Sequence, residues 1–295
     1  MVKKILLYVL LNIILNFKKL PLFAGKYKVF LVFLKIYNLI SKKKYLLQTF
    51  NCGIKLKLST LSFEKESIMS GEYEKKTIDF ILKKIDVNKN ILDVGSNIGF
   101  FALQIAQHIK NSNGKGKIFA FEPHPMNYLN LKYNIKINKL TNYIYTYNFA
   151  LSDKKKNLNL VLREDFKNNS VTGNCSLESS IEMDKNFSQI KTKVEKIDNN
   201  RKIKLSNLGF IKVDIEGHED SFFKGSIQTI KKFNPLILFE LNKKFYLKKY
   251  KKNNLNFNKL FLNLKKNKYK YYDINGYHIT NLNKLDLITD IYASR

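Results

Sequence analysis

The stretch NILDVGSNIGFF, from Asn90 to Phe101, decides the fold of this chain. Ile91, Leu92 and Val94 form the short apolar run of a buried strand, and an amphipathic stretch continues to Ile109. A tight, glycine-containing loop separates the two segments. This order predicts a strand, a loop and a helix, which is the repeating unit of open α/β sheets.

Glycines at both ends of the loop indicate that a ligand approaches the backbone there. Gly95 and Gly99 bracket the loop, and Asp93 stands at the carboxyl end of the strand. Ligands of open α/β sheets bind beyond the carboxyl ends of the strands, and glycine leaves room because it has no Cβ. Asn97 replaces the second glycine of the dinucleotide pattern Gly-x-Gly-x-x-Gly. The loop therefore predicts a nucleotide-like ligand without a pyrophosphate, although such a turn also occurs as a purely structural connection.

The remaining segments predict strands and helices in alternation. Residues 48–63 alternate as in a hairpin strand, a helix ends near Lys84, and the polar residues 163–190 predict a loop or lid. Further strands are predicted at 116–122, 143–150, 210–215, 235–241, 268–273 and 286–292, and further helices at 126–138 and 255–264. This pattern predicts an α/β fold with a mostly parallel, doubly wound sheet, closed at its edge by an antiparallel hairpin.

The composition bounds the class of protein and its partners. A length of 295 residues suits one α/β domain with an added N-terminal segment. The net charge of +29 favours nucleic acid, anionic lipid or an acidic substrate, but an AT-rich coding sequence would also produce this abundance of Lys, Asn, Ile and Tyr. The two cysteines, Cys52 and Cys175, lack paired spacing, which argues against a disulfide framework or a zinc site and favours a reducing, cytoplasmic location.

The N-terminal segment is basic and apolar. Residues 1–63 carry 12 lysines and no acid, and residues 241–272 carry 11 lysines and no acid. Residues 5–16 are too short for a comfortable transmembrane helix, and their narrow polar stripe predicts a helix with a wide apolar face. That face would lie on an anionic membrane, on the protein's own core, or in a signal peptide or anchor, although no small-residue cleavage pattern follows. Residues 29–41 predict a second such helix, so we expect a 1–63 appendage and a 64–295 domain.

Carboxylates follow five predicted strands, and we expect them to converge on one crevice. They are Asp93, Glu122, Asp153, Asp214 and Glu240. An acidic crevice suits S-adenosylmethionine, whose sulfonium and amino groups are positive, whose ribose offers a diol, and which has no phosphate. Glu122 lies near the offset at which a carboxylate binds ribose hydroxyls, although an exposed strand-end acid is the simpler alternative. Asp93 would orient the loop, Asp153 would lie beside the base, and backbone contacts would come from Gly95, Ser96, Asn97 and Gly99.

A second informative block is LGFIKVDIEGHEDSFF, from Leu208 to Phe223. Asp214 is predicted to line the methyl-donor site, and Glu216 or His218 to accept or orient the proton of an acceptor hydroxyl. Glu219 and Asp220 lie in the first turn of the following helix, where acids are often only partners of the helix dipole. Alternatively, Asp214, Glu216 and Glu240 could collect a divalent cation that binds a diol, but a metal site is not our prediction.

The motifs together resemble the FkbM family of S-adenosylmethionine-dependent methyltransferases over about residues 70 to 242. They are GEYE at 71–74, ILDVGSNIGFFAL at 91–103, FAFEPHP at 119–125, ALSD at 150–153, IKVDIEGHE at 211–219 and LILFE at 236–240. The resemblance implies a class I methyltransferase (Rossmann-like) fold and, commonly, O-methylation of small molecules or sugars. One departure is that the Thr-Leu-Asp-like segment before the fourth strand appears as Lys196-Ile197-Asp198, so that Asp198 matches only in part.

Two other functions compete with methylation of a small molecule, sugar or glycan. The charge and the tyrosines favour an RNA or DNA methyltransferase, which predicts binding that weakens steeply with salt and basic residues around the crevice mouth. No Asn-Pro-Pro-Tyr-type base-pocket motif occurs, so this function ranks second. A membrane-surface protein that keeps the fold without turnover predicts liposome binding that survives loss of Asp93.

Overall fold

The computed structural model describes most of the chain. It covers residues 2–17, 20–21, 23, 25–41, 45–50, 52–59, 73–162, 175–177, 188–243, 245–246, 262–280, 285–286 and 288–295. Most of the predicted lid over 163–190, and nearly all of the predicted helix over 255–264, lie outside these described residues.

Strands and helices alternate through the middle of the chain. The helices are α1 Val2–Asn16, α2 Lys26–Ser41, α3 Lys75–Lys84, α4 Phe100–Asn111, α5 Pro125–Ile137, α6 Glu219–Gly225, α7 Ile227–Phe233 and α8 Leu262–Lys266. The strands are β1 Tyr45–Thr49, β2 Lys55–Ser59, β3 Asn90–Val94, β4 Ile118–Phe121, β5 Ile144–Tyr147, β6 Ala150–Leu151, β7 Lys156–Leu162, β8 Cys175–Ser176, β9 Ser188–Glu195, β10 Leu208–Val213, β11 Leu236–Asn242, β12 Lys270–Asp273 and β13 Ile288–Ser294.

A seven-stranded sheet forms the centre of the molecule, in the order β12-β13-β11-β10-β3-β4-β5. Strands β11, β10, β3, β4 and β5 are parallel, and β13 runs antiparallel to both β11 and β12. The chain builds outward from β3 to β5 and then returns to β10 on the other side of β3. The gap beyond the ends of β3 and β10 is therefore the topological switch point, where open α/β sheets bind ligands.

Helices cover both faces of this sheet, as the doubly wound prediction requires. Successive strand residues point to opposite faces, so Ile91 packs into one buried cluster and Leu92 into the other. Helices α3, α4 and α5 contribute to the first cluster, whereas α6 and α7 contribute to the second. The predicted mostly parallel sheet and its antiparallel edge hairpin are both confirmed.

A second, four-stranded sheet was not predicted from the sequence. Its order is β6-β9-β7-β8, and β6 pairs with β9 in parallel. The single strand predicted over 143–150 is wrong, because the chain leaves the main sheet after Tyr147 and enters the smaller sheet at Ala150. Asp153 therefore follows a strand of the smaller sheet, and not one of five neighbouring strand ends in the main sheet.

The N-terminal helices confirm the two predicted helical segments, and their inner faces pack on the protein itself. Leu10 and Ile14 of α1 and Phe30 of α2 are buried in the same apolar cluster as Leu56 of β2. The hairpin predicted from residues 48–63 is confirmed: β1 and β2 pair in antiparallel, with the turn after Phe50. Within the described residues, no helix is both long enough and apolar enough to cross a membrane.

Side-chain amides of α5 join the hairpin to the rest of the molecule. Asn138 Oδ1 accepts from Lys55 N at 2.7 Å, and Asn138 Nδ2 donates to Lys55 O at 2.7 Å. Asn134 is fully buried; its Oδ1 accepts from Lys57 N at 2.9 Å and its Nδ2 donates to Ile98 O at 2.9 Å. Asn134 thus bonds both to the hairpin and to the glycine loop after β3.

Candidate functional site

The glycine loop between β3 and α4 fits tightly against neighbouring strands. Gly95 N and Ser96 N both donate to Phe121 O at 3.0 Å. Gly95 has φ +85°, and a Cβ there would lie 1.9 Å from the backbone oxygen of Asp214. Asn97 adopts φ 50°, also in the left-handed region. The loop therefore requires glycine at position 95, both for its backbone angle and for its contact with the end of β10.

Glu122, at the end of β4, holds this loop in place. The side chain is buried and accepts from Asn97 N at 2.8 Å and from His124 N at 2.9 Å. Burial raises the pKa of Glu122 to about 7, although both backbone donors act in the opposite direction. The predicted contact with ribose hydroxyls would use the remaining lone pairs of the same two oxygens, beside the loop that the carboxyl group anchors.

Asp93 and Lys212 form a buried ion pair beneath the loop. Asp93 is fully buried, and its Oδ1 lies 3.7 Å from Lys212 Nζ. Neither carboxyl oxygen of Asp93 has a hydrogen-bond partner among the described residues. Burial raises the pKa of Asp93, and the charge of Lys212 offsets only part of this effect. Ser96 Oγ donates to the backbone oxygen of Asp93 at 2.8 Å, which braces the start of the loop.

Sequence analysis missed Lys212, which connects the loop to the neighbouring strand end. Its Nζ lies 3.3 Å from Asp214 Oδ2 and 4.4 Å from the ring centroid of Phe101. Burial alone would lower the pKa of Lys212, but Asp214 and Asp93 outweigh burial and raise it. The available signal was a lysine at an inward position of a strand whose other residues are apolar.

A small pocket opens on the same face of the sheet. Its described lining residues are Glu74, Thr77, Phe101, Lys212, Val213, Asp214, Leu238, Phe239, Glu240 and Asp290. Glu240 is paired in register with Asp290 across β11 and β13, and Thr77 Oγ1 donates to Asp290 Oδ2 at 2.6 Å. Four carboxyl groups from separate parts of the fold thus meet around one lysine.

The carboxyl groups of this pocket have a high affinity for protons. Burial, followed by the charges of Asp214, Glu216 and Asp290, raises the pKa of Glu240 to about 10. Burial also raises the pKa of Glu74 and of Asp290. Because these carboxyl groups interact, they titrate together, and the cluster as a whole binds protons at neutral pH. The pocket can therefore both donate and accept hydrogen bonds.

Asp214, Glu216 and Glu240 lie close enough to act together. One carboxyl oxygen of each lies within 4.8 Å of the others, which is the grouping that the cation alternative requires. Lys212, 3.3 Å from Asp214, already places a positive charge beside this group. Glu216 adopts φ 52°, and its backbone oxygen accepts from Ser176 Oγ at 2.7 Å. The turn after β10 is therefore fixed partly by the smaller sheet.

His218 and Asp153 lie together, and neither is among the described lining residues of the pocket. His218 is buried, and its Nε2 lies 2.8 Å from Ser152 Oγ. Ser152 Oγ also donates to Asp153 Oδ1 at 3.2 Å. The five predicted carboxylates thus divide into groups: Lys212 joins Asp93 to Asp214, and Asp214 lies near Glu240, whereas Glu122 lies at the glycine loop and Asp153 beside Ser152.

Other acids near the site have contacts that stabilise the fold. Glu219 Oε1 accepts from Gly217 N at 3.1 Å, its other oxygen accepts from Tyr246, and Asp220 Oδ1 accepts from Ser221 N at 2.7 Å. Asp198, which matched the family pattern only in part, accepts at Oδ1 from Thr229 N and at Oδ2 from Gln228 N, at 2.8 Å and 2.9 Å. These bonds cap the start of α7.

Comparison with known proteins identifies one family and several distant structures. A sequence model of the methyltransferase FkbM domain matches residues 93–272. The FkbM methyltransferase of Methylobacillus flagellatus is 16% identical, with a TM-score of 0.44, over 79% of this chain and 54% of its own. The precorrin-6y C5,15-methyltransferase of Geobacter metallireducens is 10% identical, with a TM-score of 0.40, over 75% of this chain and 89% of its own. The tRNA (uracil-54, C5)-methyltransferase of Pyrococcus abyssi, solved with S-adenosyl-L-homocysteine, is 10% identical, with a TM-score of 0.41, over 86% of this chain and 45% of its own.

The chain spans about half the length of the Methylobacillus protein that it resembles. No curated protein matches it in sequence. The family match runs from Asp93 through β10 and β11 to the edge strand β12, so it contains the glycine loop and most of the pocket. Together with the sheet order, the match confirms the predicted class I methyltransferase fold.

Proposed function

The chain belongs to the FkbM methyltransferase family, and from this membership we propose that it transfers a methyl group from S-adenosylmethionine to a hydroxyl group of a small molecule, sugar or glycan. The observation that carries the proposal is the pocket that joins Asp214 and Glu240 to Glu74 and Asp290, next to the glycine loop. Carboxyl groups accept hydrogen bonds from hydroxyls, and several together suit a ligand with several hydroxyls.

The residues around the glycine loop fit a cationic donor that carries hydroxyl groups. Both carboxyl oxygens of Asp93, and Oδ1 of Asn97, are buried and have no hydrogen-bond partner among the described residues. Such oxygens favour a ligand that donates hydrogen bonds or carries positive charge. When bound, S-adenosylmethionine would supply the electrophilic methyl group on its sulfonium. Glu122 would bind the ribose hydroxyls, Asp153 would lie toward the base, and Gly95 would let the backbone approach the ligand.

On the acceptor side, the carboxyl cluster would hold and deprotonate the hydroxyl. Orienting an oxygen at about 3 Å from the methyl carbon supplies much of the acceleration of an in-line displacement. Asp214, which lines the pocket, would bind the hydroxyl, and Glu216 would accept the proton that leaves it. Since His218 contacts Ser152, we assign it to positioning the turn after β10.

The acidic lining favours a neutral or cationic acceptor over a nucleic acid. A phosphodiester backbone needs cations, but this pocket is lined by the carboxyl groups of Glu74, Asp214, Glu240 and Asp290, and its lysine, Lys212, is already ion-paired. We therefore rank the RNA or DNA methyltransferase second. Strong, salt-sensitive methylation of nucleic acid would reverse this ranking. The proposed location is the cytoplasm, which is supported by the fact that Cys52 and Cys175 form no disulfide.

The test is methyl transfer from labelled S-adenosylmethionine to a panel of sugars and polyols, and to a fractionated extract of the source cell. We expect label in a hydroxyl-bearing small molecule or glycan, with turnover lowered at least about a hundredfold by Asp214→Asn or Glu216→Gln. Asp79→Asn, an exposed carboxylate on α3, is the matched control and should retain turnover. Wild-type turnover in both Asp214→Asn and Glu216→Gln would contradict the assignment. Addition of EDTA distinguishes the cation alternative, which predicts loss of activity.

A further inference from the structure

Helix α1 has an apolar face on each side. Leu10, Ile14 and Phe17 are buried against the protein. On the outer side, apolar side chains recur with the spacing i, i+3, i+4, i+7, which places them on one helical face. They are Val2, Ile5, Leu6 and Val9, with exposed fractions of 78%, 56%, 44% and 46%. The inner face alone accounts for the packing of α1, so the outer face is available to a partner.

Helix α2 repeats this arrangement and adds charge beside it. Phe30 and Tyr37 are buried on its inner side. Its outer stripe consists of Val29, Val32, Ile36 and Leu39, with exposed fractions of 40%, 55%, 38% and 79%. The exposed residues Lys28 and Lys35 lie next to this stripe on the helical wheel. An exposed apolar stripe with lysines at its side is the pattern of a helix that lies in a membrane interface.

The two helices pack together as one unit. Phe17 at the end of α1 contacts Phe30 and Phe33 of α2, with ring centroids 5.3 Å and 6.3 Å apart. Tyr8 and Tyr45 are also exposed, and tyrosine is a residue that favours the boundary between lipid and water. Soluble monomers rarely expose so much apolar surface on neighbouring elements unless it binds something.

The positive charge of residues 1–63 indicates which kind of partner the outer faces of α1 and α2 bind. Residues 1–63 carry 12 lysines and no acidic residue, so an acidic or anionic surface would meet no like charge there. Helices of 15 and 16 residues span about 22–24 Å, less than the hydrocarbon thickness, so they would lie along a bilayer and not across it. Apolar insertion combined with lysine contacts fits anionic lipid better than a soluble partner that offers only one of the two.

We propose that the outer faces of α1 and α2 bind the surface of an anionic membrane, with the apolar stripes inserted and the lysines at the lipid head groups. The residues that would bind lipid lie outside the pocket, so this proposal does not rest on the proposed methyl transfer.

The experiment is co-sedimentation of the full chain with vesicles of phosphatidylcholine alone and of phosphatidylcholine with phosphatidylserine. We expect stronger binding to the phosphatidylserine vesicles, with partial release at high salt. The double variant Val32→Glu/Ile36→Glu should weaken this binding more than tenfold, because it places charge in the apolar stripe. Lys28→Glu/Lys35→Glu should weaken it by at least about fivefold for each lysine lost.

Matched controls separate lipid binding from unfolding. Met126→Glu/Leu129→Glu introduces the same charges at exposed apolar positions of α5, and should bind vesicles like the wild type. All four replaced apolar residues are exposed, so thermal melting should stay unchanged, and an unchanged melt with lost binding supports the proposal. Equal binding to both vesicle types, wild-type binding by Val32→Glu/Ile36→Glu, or a stable dimer that this variant dissociates and that ignores vesicles would each overturn it.

Discussion

Lys212 is the residue on which the arrangement of the pocket depends most directly. It is buried, pairs with Asp93 and Asp214, and lies over the ring of Phe101. Asp93, Lys212 and Asp214 project from the same face of the sheet, because side chains alternate along a strand and Lys212 is in register with Asp93. Removing the lysine would leave two buried or half-buried carboxylates without a cation.

Replacement of Lys212 by methionine should therefore destabilise the protein strongly. We expect Lys212→Met to lower the free energy of unfolding by about 3–5 kcal/mol, the usual cost of leaving a buried charge unpaired. The measurement is equilibrium denaturation by urea at neutral pH. Lys231→Met, at an exposed position of α7, should change the free energy by less than about 0.5 kcal/mol. Equal stability of the two variants would show that Asp93 does not depend on the lysine.

Gly95 allows a second prediction at the scale of one residue. A Cβ at this position would lie 1.9 Å from the backbone oxygen of Asp214, whereas a Cβ at Gly53, with a similar φ of +79°, would contact nothing within 4 Å. Gly53→Ala should therefore lower the free energy of unfolding by only about 1–2 kcal/mol, the cost of placing a side chain at a left-handed backbone angle. Gly95→Ala should lower the free energy of unfolding by more than Gly53→Ala does. It should also abolish the rise in melting temperature that S-adenosylmethionine causes. A donor-induced shift equal to that of Gly53→Ala would refute the tight contact.

At the scale of elements, the positions of the strands along the chain were predicted better than their arrangement in the sheets. Strands β3, β4, β10 and β11 could be predicted from their apolar runs, because both faces of a central parallel strand are buried. The break after Tyr147 was missed because residues 143–150 look continuous in sequence, while Asn148 turns the backbone by donating to Glu122 O at 2.9 Å. Strands β7 and β9 were missed because they belong to a small sheet whose residues are largely polar.

The cap of α7 gives a prediction for an element. Asp198 accepts hydrogen bonds from Gln228 N, Thr229 N and Thr229 Oγ1, so its role is to start the helix. Asp198→Ala should lower the free energy of unfolding by about 1–2 kcal/mol and leave the affinity for S-adenosylmethionine unchanged. Denaturation and calorimetric titration measure the two effects. A variant that keeps its stability but binds the donor less tightly would move Asp198 into the donor site.

At the scale of the whole molecule, the pocket is the part that the sequence could not predict. Glu74 and Asp290 come from opposite ends of the domain, and only the packing of α3 against β13, through Thr77, brings them to Asp214 and Glu240. Asp290 has no local pattern around it and resembles an ordinary surface acid, and Glu74 belongs to the GEYE motif, which by itself assigns the residue no role. The glycine loop, in contrast, was predictable because its strand, its two glycines and the start of its helix lie within a dozen residues.

The protons held in this pocket predict an unusual dependence of stability on pH. The folded protein raises the pKa of Glu240 to about 10, whereas the unfolded value is near 4.5. From about pH 7 to about pH 9 the unfolded chain therefore binds one proton fewer, and the free energy of unfolding falls as pH rises, by up to about 1.4 kcal/mol per pH unit. Buried His124, with a pKa of about 4, titrates below this window, whereas Glu122, with a pKa of about 7, adds to the slope only at its lower end.

Urea denaturation over this pH range measures the slope. Glu240→Gln removes the titrating group while keeping its shape, so its slope should be flatter by about one proton. Asp79→Asn, on the exposed side of α3, should keep the wild-type slope. Identical slopes in the wild type and in Glu240→Gln would mean that the proton is not held at this carboxyl group.

Asn134 connects the N-terminal hairpin to the core, so we expect the two parts to unfold together. Its carboxamide accepts from Lys57 and donates to Ile98, so a protein trimmed to begin after residue 63 would keep only half of these bonds. Trimming would also uncover the side of the core that Leu56 and its neighbours now cover. We expect such a shortened protein to aggregate, and the intact chain to melt in a single transition. A bilayer that holds α1 and α2, which pack against the hairpin, would then raise the temperature at which the donor loop itself comes apart.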